Sequence, residues 1–421
     1  MIKKTISNHH IVLFAIFMCA FIIRAYGLSA QPPTDDEAAA ASAASNYLKT
    51  GILGQVMWYH PPLRNIVIFV SGKIFGGYSA WGLRFGSVLF GSLTVLLLGY
   101  LSFSLFRKKL ISYLAAFFLC IDPLHISFSR QAFQEAMTPF FIIAGVFAAY
   151  HGIRKDNVFY CYLSGVFFGL ASSSKWHGLF PWAASAAAYL FAPYLIKEYE
   201  GEKSIFARFL NMLSAYAVLP IVIYVAVYIP WLNRGYSIRE FIDFQQWLVT
   251  RQYFHQASEY AEKFVPKGAY LWFVWPTAWA DFVFHQGKAY LNIAMGNFLV
   301  WILTLPSLYF CIRNWFRNKS FESGYILVLF LISYLPLVMT TRGIWVFNSL
   351  AVIPFAFILS AYAISGLVDD RKVSMRTLVI YIGIIALVSG LMYPLSTMKA
   401  LEYSYIRPLT EAYSPHKGAN K

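Results

Sequence analysis

Charge is what this 421-residue sequence has least of. Asp, Glu, Lys and Arg make up 13% of it, against about 25% in an ordinary globular chain, while 59% is hydrophobic. So few charges cannot cover the surface of the two or three soluble domains that the length would otherwise allow. Acid is scarcer than base, with 19 acidic against 34 basic residues and a net charge of +15. Cysteine is limited to Cys19, Cys120, Cys161 and Cys311, each inside an apolar stretch and with no metal-ligand spacing, so neither a disulfide framework nor a metal site is implied. The chain shows no internal repeat, no low-complexity tract and no soluble domain.

What it has instead is long apolar runs, separated by short basic clusters, and a mean hydropathy of +0.56. This is the pattern of a polytopic membrane protein. The first run, from Ile11 to about Ile23, follows Lys3 and Lys4 and resembles a secretory signal. It ends at Arg24 with many further runs behind it, so it reads as an uncleaved first span with the N-terminus inside. Basic clusters then recur at Arg107-Lys108-Lys109, Arg154-Lys155, Lys197/Lys203/Arg208, Arg313/Arg317/Lys319 and Arg371-Lys372 with Arg376. Two apolar stretches separate each cluster from the next, which places every cluster in the cytoplasm by the positive-inside rule. The expected spans are 11–28, 80–106, 110–124, 137–152, 158–173, 177–196, 210–231, 290–311, 323–340, 345–366 and 377–394, eleven in all with the C-terminus outside. These clusters and the N-terminal pair hold 16 of the 34 basic residues. The positive charge therefore reports topology and suits anionic membrane lipid; it implies no nucleic-acid partner.

The whole chain, 1–421, reads as one transmembrane domain with two long outer segments, 29–79 and 232–289. In the first, Ala38 to Leu48 favours helix, and Thr34 with Glu37 has capping-box spacing. Ile66 to Phe75 is apolar but too short to span, so it is expected to lie in the interface or re-enter. The second is rich in Trp, Tyr and Phe, among them Trp247, Tyr253, Trp272, Trp275 and Trp279, and suits one or two helices at headgroup level.

Candidate chemistry lies among polar groups on the outer side. Asp35, Asp36 and Glu37 fit a capped helix start stabilised by the helix dipole, or a general base whose pKa neighbouring carboxylates raise; the two readings are compatible. His60-Pro61-Pro62-Leu63 is a stiff tetrapeptide that punctuates a loop-to-helix transition. Asp122-Pro123, Ser129-Arg130 and Glu135 share a short outer connection. Arg130, Lys175 and Arg342 are single cations at outer span ends, against the topological bias. They fit snorkelling or local ion pairs, or together a site for a lipid phosphate.

The order of these motifs resembles the dolichyl-phosphate-mannose protein mannosyltransferases, glycosyltransferase family 39 of the GT-C superfamily. The resemblance rests on Asp36-Glu37, His60-Pro61-Pro62-Leu63, Arg84-Phe85-Gly86-Ser87, Ser129-Arg130 with Glu135, and the run through Gly169-Leu170-Ala171, Lys175-Trp176 and Gly178-Leu179-Phe180. Gln246, His255 and Trp275-Pro276 are similar to the aromatic outer loop of the short bacterial members, and Arg342 with Pro354-Phe355 to the family's late block. Departures are Glu135 where the family usually has Asp, Phe347-Asn348-Ser349 where a His-Tyr pair is common, a longer stretch between Glu37 and His60, and no large β-rich insertion.

The resemblance implies an all-α polytopic GT-C fold and an inverting glycosyltransferase. The donor would be a polyprenyl-phosphate-linked sugar, mannose the first choice, and the acceptor a protein or glycan hydroxyl, with protein Ser/Thr first. Asp36 would be the base; Glu37, His60 and Glu135 would position acceptor or sugar; Arg130, Lys175 and Arg342 would hold the donor phosphate. No cofactor or metal is called for. The expected location is a bacterial plasma membrane with the active site facing the extracytoplasmic side. A relative that adds aminoarabinose or another sugar to lipid A or a glycan stays open as an alternative, as does a transporter of lipid-linked substrates, although no matching pair of broken halves is present.

Overall fold

The computed structural model describes residues 2–54, 60–197, 199, 201, 203–254, 269–285, 288–340 and 344–401. It is a helical bundle. Its principal helices are α1 (Ile2–Ala25), α2 (Asp35–Thr50), α3 (Leu63–Ile74), α4 (Ala80–Phe106), α5 (Lys109–Ile121), α6 (Pro123–Ser129), α7 (Gln134–Lys155), α8 (Val158–Ser174) and α9 (Leu179–Leu190). They continue with α10 (Ile205–Ala226), α11 (Ile238–Phe254), α12 (Phe298–Asn318), α13 (Phe321–Val338), α14 (Ile353–Asp369) and α15 (Met375–Ser396).

Each expected span overlaps a helix, the one at 290–311 only from Phe298 onward. Seven helices are long and apolar enough to cross a membrane, and α5 with α6 forms an eighth candidate bent by 61°. The other three expected spans fall on α8, α9 and α14, which are all shorter than these. The bend follows from Asp122-Pro123. Proline cannot continue the hydrogen-bond ladder of α5, and the buried Asp122 carboxylate accepts from His125 N at 3.0 Å to start α6. Its other oxygen accepts from Asn297 N at 3.1 Å and Trp301 Nε1 at 2.9 Å, tying the bend to the start of α12.

The helices pack through small residues, which allow backbones to approach. A Cβ at Gly91 of α4 would lie 2.2 Å from Ser129 Oγ, so α6 can seat there only against glycine. The basic clusters gather at one end of the bundle. There Arg154 pairs with Glu322 at 3.4 Å, Lys203 and Arg208 both pair with Asp156, and Lys108 pairs with Asp369.

The two outer segments meet at the opposite end. Arg234 donates to Thr50 O at 2.8 Å, and the Tyr47 hydroxyl donates to Val227 O at 2.5 Å. Between these contacts Gly51 closes α2 with φ +71°; a side chain there would strike Pro230 O. The 12-residue α3 is about 18 Å long, too short to cross the hydrocarbon core of about 30 Å.

The second outer segment differs from expectation. After α11 and a turn at Leu271–Val274, a hairpin of β1 (Ala278–His285) and β2 (Lys288–Met295) occupies the region where only helix was expected. Aromatic and β-branched residues in Trp279, Phe282, Val283 and Phe284 favour extended chain. The hairpin also displaces the expected span 290–311: helix begins only at Phe298, where the Asn297 side chain accepts from Leu299 N at 3.1 Å. A short β3 (Ala400–Leu401) pairs with β2.

The last helix closes on the first. The Tyr393 hydroxyl of α15 donates to Ile23 O of α1 at 2.7 Å, and Gln31 Nε2 contacts Met398 Sδ at 3.4 Å.

Candidate active site

Asp36 and Glu37 stand in the first turn of α2, where the capping box read from the sequence is present. Thr34 Oγ1 accepts from Glu37 N at 3.2 Å, and Glu37 Oε2 accepts from Thr34 N at 3.1 Å. The neighbouring carboxylates then part company. Glu37 is fully buried and grips Arg84 of α4 in a fork, Nε to Oε1 and Nη2 to Oε2, both at 2.7 Å. Its Oε1 also accepts from Ala132 N at 2.9 Å. Arg84 donates as well to the carbonyls of Leu28, Gln31 and Pro32, at 3.2, 2.9 and 2.8 Å. Glu37 and Arg84 thus bind the α1–α2 connection to α4, and both Glu37 oxygens are committed to that task.

Asp36 is open to solvent on the adjoining face. The chain around it removes enough water to hold its carboxyl above the ordinary carboxylate range, and Asp35, Glu135 and Glu37 push the same way. Arg64 opposes them. Arg64 lies buried in the first turn of α3, just after the Pro61-Pro62 turn, and was not singled out from the sequence. Only its position two residues beyond Pro62 marked it. His60 opens the same turn and is partly buried.

Glu135 and Lys175 come together at 2.9 Å, from the first turn of α7 and the C-terminal end of α8. Lys175 Nζ also donates to Asn348 Oδ1 at 2.8 Å and sits 5.3 Å from the centre of the Phe347 ring. Asn348 is held in turn by its own Nδ2 donating to Trp345 O at 2.9 Å. The late block where this sequence departs from the family pattern is therefore where Lys175 docks. Glu135 Oε2 is buried and has no hydrogen-bond partner among the described residues. A buried carboxylate oxygen in that state is open to a hydroxyl donor.

Arg130 is placed otherwise. Its Nη1 donates to Arg24 O at 2.8 Å and Tyr26 O at 2.6 Å, so it caps the C-terminal end of α1. Its charged neighbours are Arg84 and Arg24, and no hydrogen bond or ion pair among the described residues joins it to Lys175. Arg342 and His255 lie outside the described residues. Of the expected site, Asp36 and Glu135 share one electrostatic neighbourhood, Lys175 belongs to it through Glu135, and Arg64 and Asn348 join it.

Residues 14–233 match the family described as dolichyl-phosphate-mannose-protein mannosyltransferase, just over half of the chain and including Asp36, Arg64, Glu135 and Lys175. The chain belongs to that family. A polyprenol-phosphate-mannose–protein mannosyltransferase of Mycobacterium tuberculosis is 25% identical over 200 residues, which is 41% of this chain and 38% of the relative. The match thus spans well under half of the relative's length. Among solved structures, the S. cerevisiae protein O-mannosyltransferase Pmt1–Pmt2 complex bound to the sugar donor is similar with a TM-score of 0.69 and 11% identity, covering 96% of this chain and 92% of that one. ArnT from Cupriavidus metallidurans bound to undecaprenyl phosphate gives 0.60 and 16%, covering 90% of this chain and 63% of that one. The fold is that of the GT-C membrane glycosyltransferases.

Proposed function

We propose that this family member is an inverting glycosyltransferase that moves mannose from a polyprenyl-phosphate donor to a protein hydroxyl, at the extracytoplasmic face of a bacterial plasma membrane. The observation that carries the reading is Asp36: a solvent-open carboxyl with a raised pKa, set beside Arg64 and Glu135, within the family match. Its neighbour Glu37 is anchored to Arg84, so the base stands on a fixed support.

Asp36 takes the proton of the acceptor hydroxyl as that oxygen attacks the anomeric carbon. The carbon–oxygen bond to the lipid phosphate breaks on the opposite face, and the configuration inverts. A raised pKa brings the carboxylate closer to the operating pH, where a general base is most effective. Charge builds on the departing phosphate, and Lys175, held at fixed geometry by Glu135 and Asn348, supplies positive charge in a site of low dielectric. Arg130 and Arg342 are the further candidates for that phosphate. Glu135 offers its free oxygen to a sugar or acceptor hydroxyl, and His60 lies on the turn that brings Arg64 in. Glu37 acts through Arg84 as a positioning residue. The likeness to ArnT supports a second reading, transfer of a different sugar to a lipid or glycan.

Purified protein, incubated in parallel with radiolabelled polyprenyl-phosphate-mannose or another radiolabelled polyprenyl-phosphate sugar and a membrane extract, tests both. Label in protein that survives lipid extraction and is released by alkaline β-elimination is the expected result. Label confined to lipid or glycan supports the second reading, and no transfer from any polyprenyl-phosphate sugar overturns both.

A further inference from the structure

At the end of the bundle opposite Asp36, a cavity of about 440 Å³ opens between the start of α5, the last turns of α12 and the end of α14. On α14 its lining begins only at Tyr362, nine residues and about 14 Å beyond the start of that helix on the Asn348 side. It therefore takes no part in the chemistry above.

Four cations line it, Lys108, Arg313, Arg317 and Lys372, against two carboxylates, Asp369 and Asp370. The carboxylates are already engaged: Lys108 pairs with Asp369, and Lys372 with Asp370 at 3.0 Å. Arg313 and Arg317 are left without a carboxylate partner among the described residues. They are one helical turn apart on α12, so both guanidinium groups reach the same opening. Asn314 between them donates from Nδ2 to the Tyr362 hydroxyl at 3.2 Å, which ties α12 to α14 across the cavity.

The same stretch of α12 also presents apolar side chains outward. Tyr309 is 70% and Phe316 61% exposed, with Ile312 exposed between them. A ligand that fits both surfaces has an anionic head and apolar tails. Forked guanidinium groups suit a phosphate, to which each can give two parallel hydrogen bonds. We propose that this cavity binds the phosphate headgroup of an anionic phospholipid, with its acyl chains lying along Tyr309, Ile312 and Phe316. Under the topology above it is the cytoplasmic leaflet that supplies the lipid, where basic residues near the surface gain most from anionic headgroups.

The test is native mass spectrometry of the full chain, released from micelles doped with phosphatidylglycerol or phosphatidylcholine. The wild type is expected to retain phosphatidylglycerol in preference to phosphatidylcholine, and R313Q/R317Q to retain it about tenfold less. R313K/R317K keeps the charge without the fork and is expected to fall between them. If the double Gln variant does not elute as a monodisperse species, Arg317→Gln alone, in the last turn of α12, gives the same reading. Millimolar inorganic phosphate or glycerol phosphate is expected to leave the retained lipid in place. Equal retention of both lipids, or retention by R313Q/R317Q equal to wild type, overturns the proposal. Displacement of the lipid by free phosphate overturns its lipid source.

Discussion

Lys175 and Glu135 form an ion pair at 2.9 Å, with side chains only 10% and 5% exposed, and this pair locks the end of α8 to the start of α7. Both charges have been taken out of water, a cost that only good geometry and further hydrogen bonds can offset. Lys175 obtains these from Asn348 and the Phe347 ring, whereas one oxygen of Glu135 obtains no hydrogen bond from the described residues. The pair is thus satisfied on its cationic side and left open on its acidic side.

Removing Lys175 should accordingly cost more than removing both partners. Lys175→Met strands a buried carboxylate and is expected to lower stability by about 3–5 kcal/mol. Lys175→Met with Glu135→Gln should recover most of that loss while remaining inactive. Thermal unfolding of the purified variants measures the first effect, and mannose transfer the second. A double variant no more stable than the single would mean that the ion pair is not what holds α7 and α8 in register.

Asp36→Asn keeps the size and hydrogen bonding of the side chain but cannot accept a proton. Turnover should fall by about 10²-fold or more, with binding of the polyprenyl-phosphate donor retained. Near-normal turnover would reduce Asp36 to a residue of the helix start.

The raised pKa of Asp36 also sets a sign. The folded chain holds that proton more tightly than the unfolded chain, so stability contributed by protonation is present at low pH and is lost as pH rises through the folded pKa. At neutral pH the ionised carboxylate is a net cost, and Asp36→Asn should unfold at the same temperature as wild type or higher. Asp35→Asn removes one of the charges that raise the pKa, so the acidic limb of kcat/KM should move to lower pH. A limb that stays in place or moves upward would show that another group controls it.

Topology gives a test that does not depend on catalysis. In a Cys19→Ser background, a cysteine at Ser204 should be shielded from an impermeant thiol reagent in intact cells, and one at Asn233 should react. Both positions are exposed, so access to the reagent differs only by side of the membrane. Equal labelling would invert or dissolve the proposed sidedness.

The sequence was most legible where a local rule decides the structure. α4 runs from Ala80 to Phe106 as expected, because an apolar run, interrupted by charge only at Arg84, meets Arg107 with φ +54° at its end. The Thr34–Glu37 box followed from spacing alone. Partners far apart in the chain left no such mark. Nothing near Glu37 announces Arg84, 47 residues on, and nothing near Lys175 announces Asn348, 173 residues on. Arg130 donates from Nη1 to carbonyls at the end of α1, and a carbonyl has no sequence signature. The hairpin at 278–295 escaped because its aromatic and aliphatic residues resemble an interfacial helix and the start of a span. Apolar content identifies burial in lipid or protein, but it does not choose between extended and helical chain.

The contact between Tyr393 and Ile23 joins residues 370 apart in the chain. During synthesis α1 enters the membrane long before α15, which brings the Tyr393 contact to it. Until then Ile23 O lacks that donor, and Gln31, in the connection that leads to Asp36, lacks Met398. A nascent chain stalled before α15 would contain every residue of the proposed site and still lack its final setting. The proposed activity should therefore emerge only once α15 has been made, so that a chain still lacking it does not consume donor lipid.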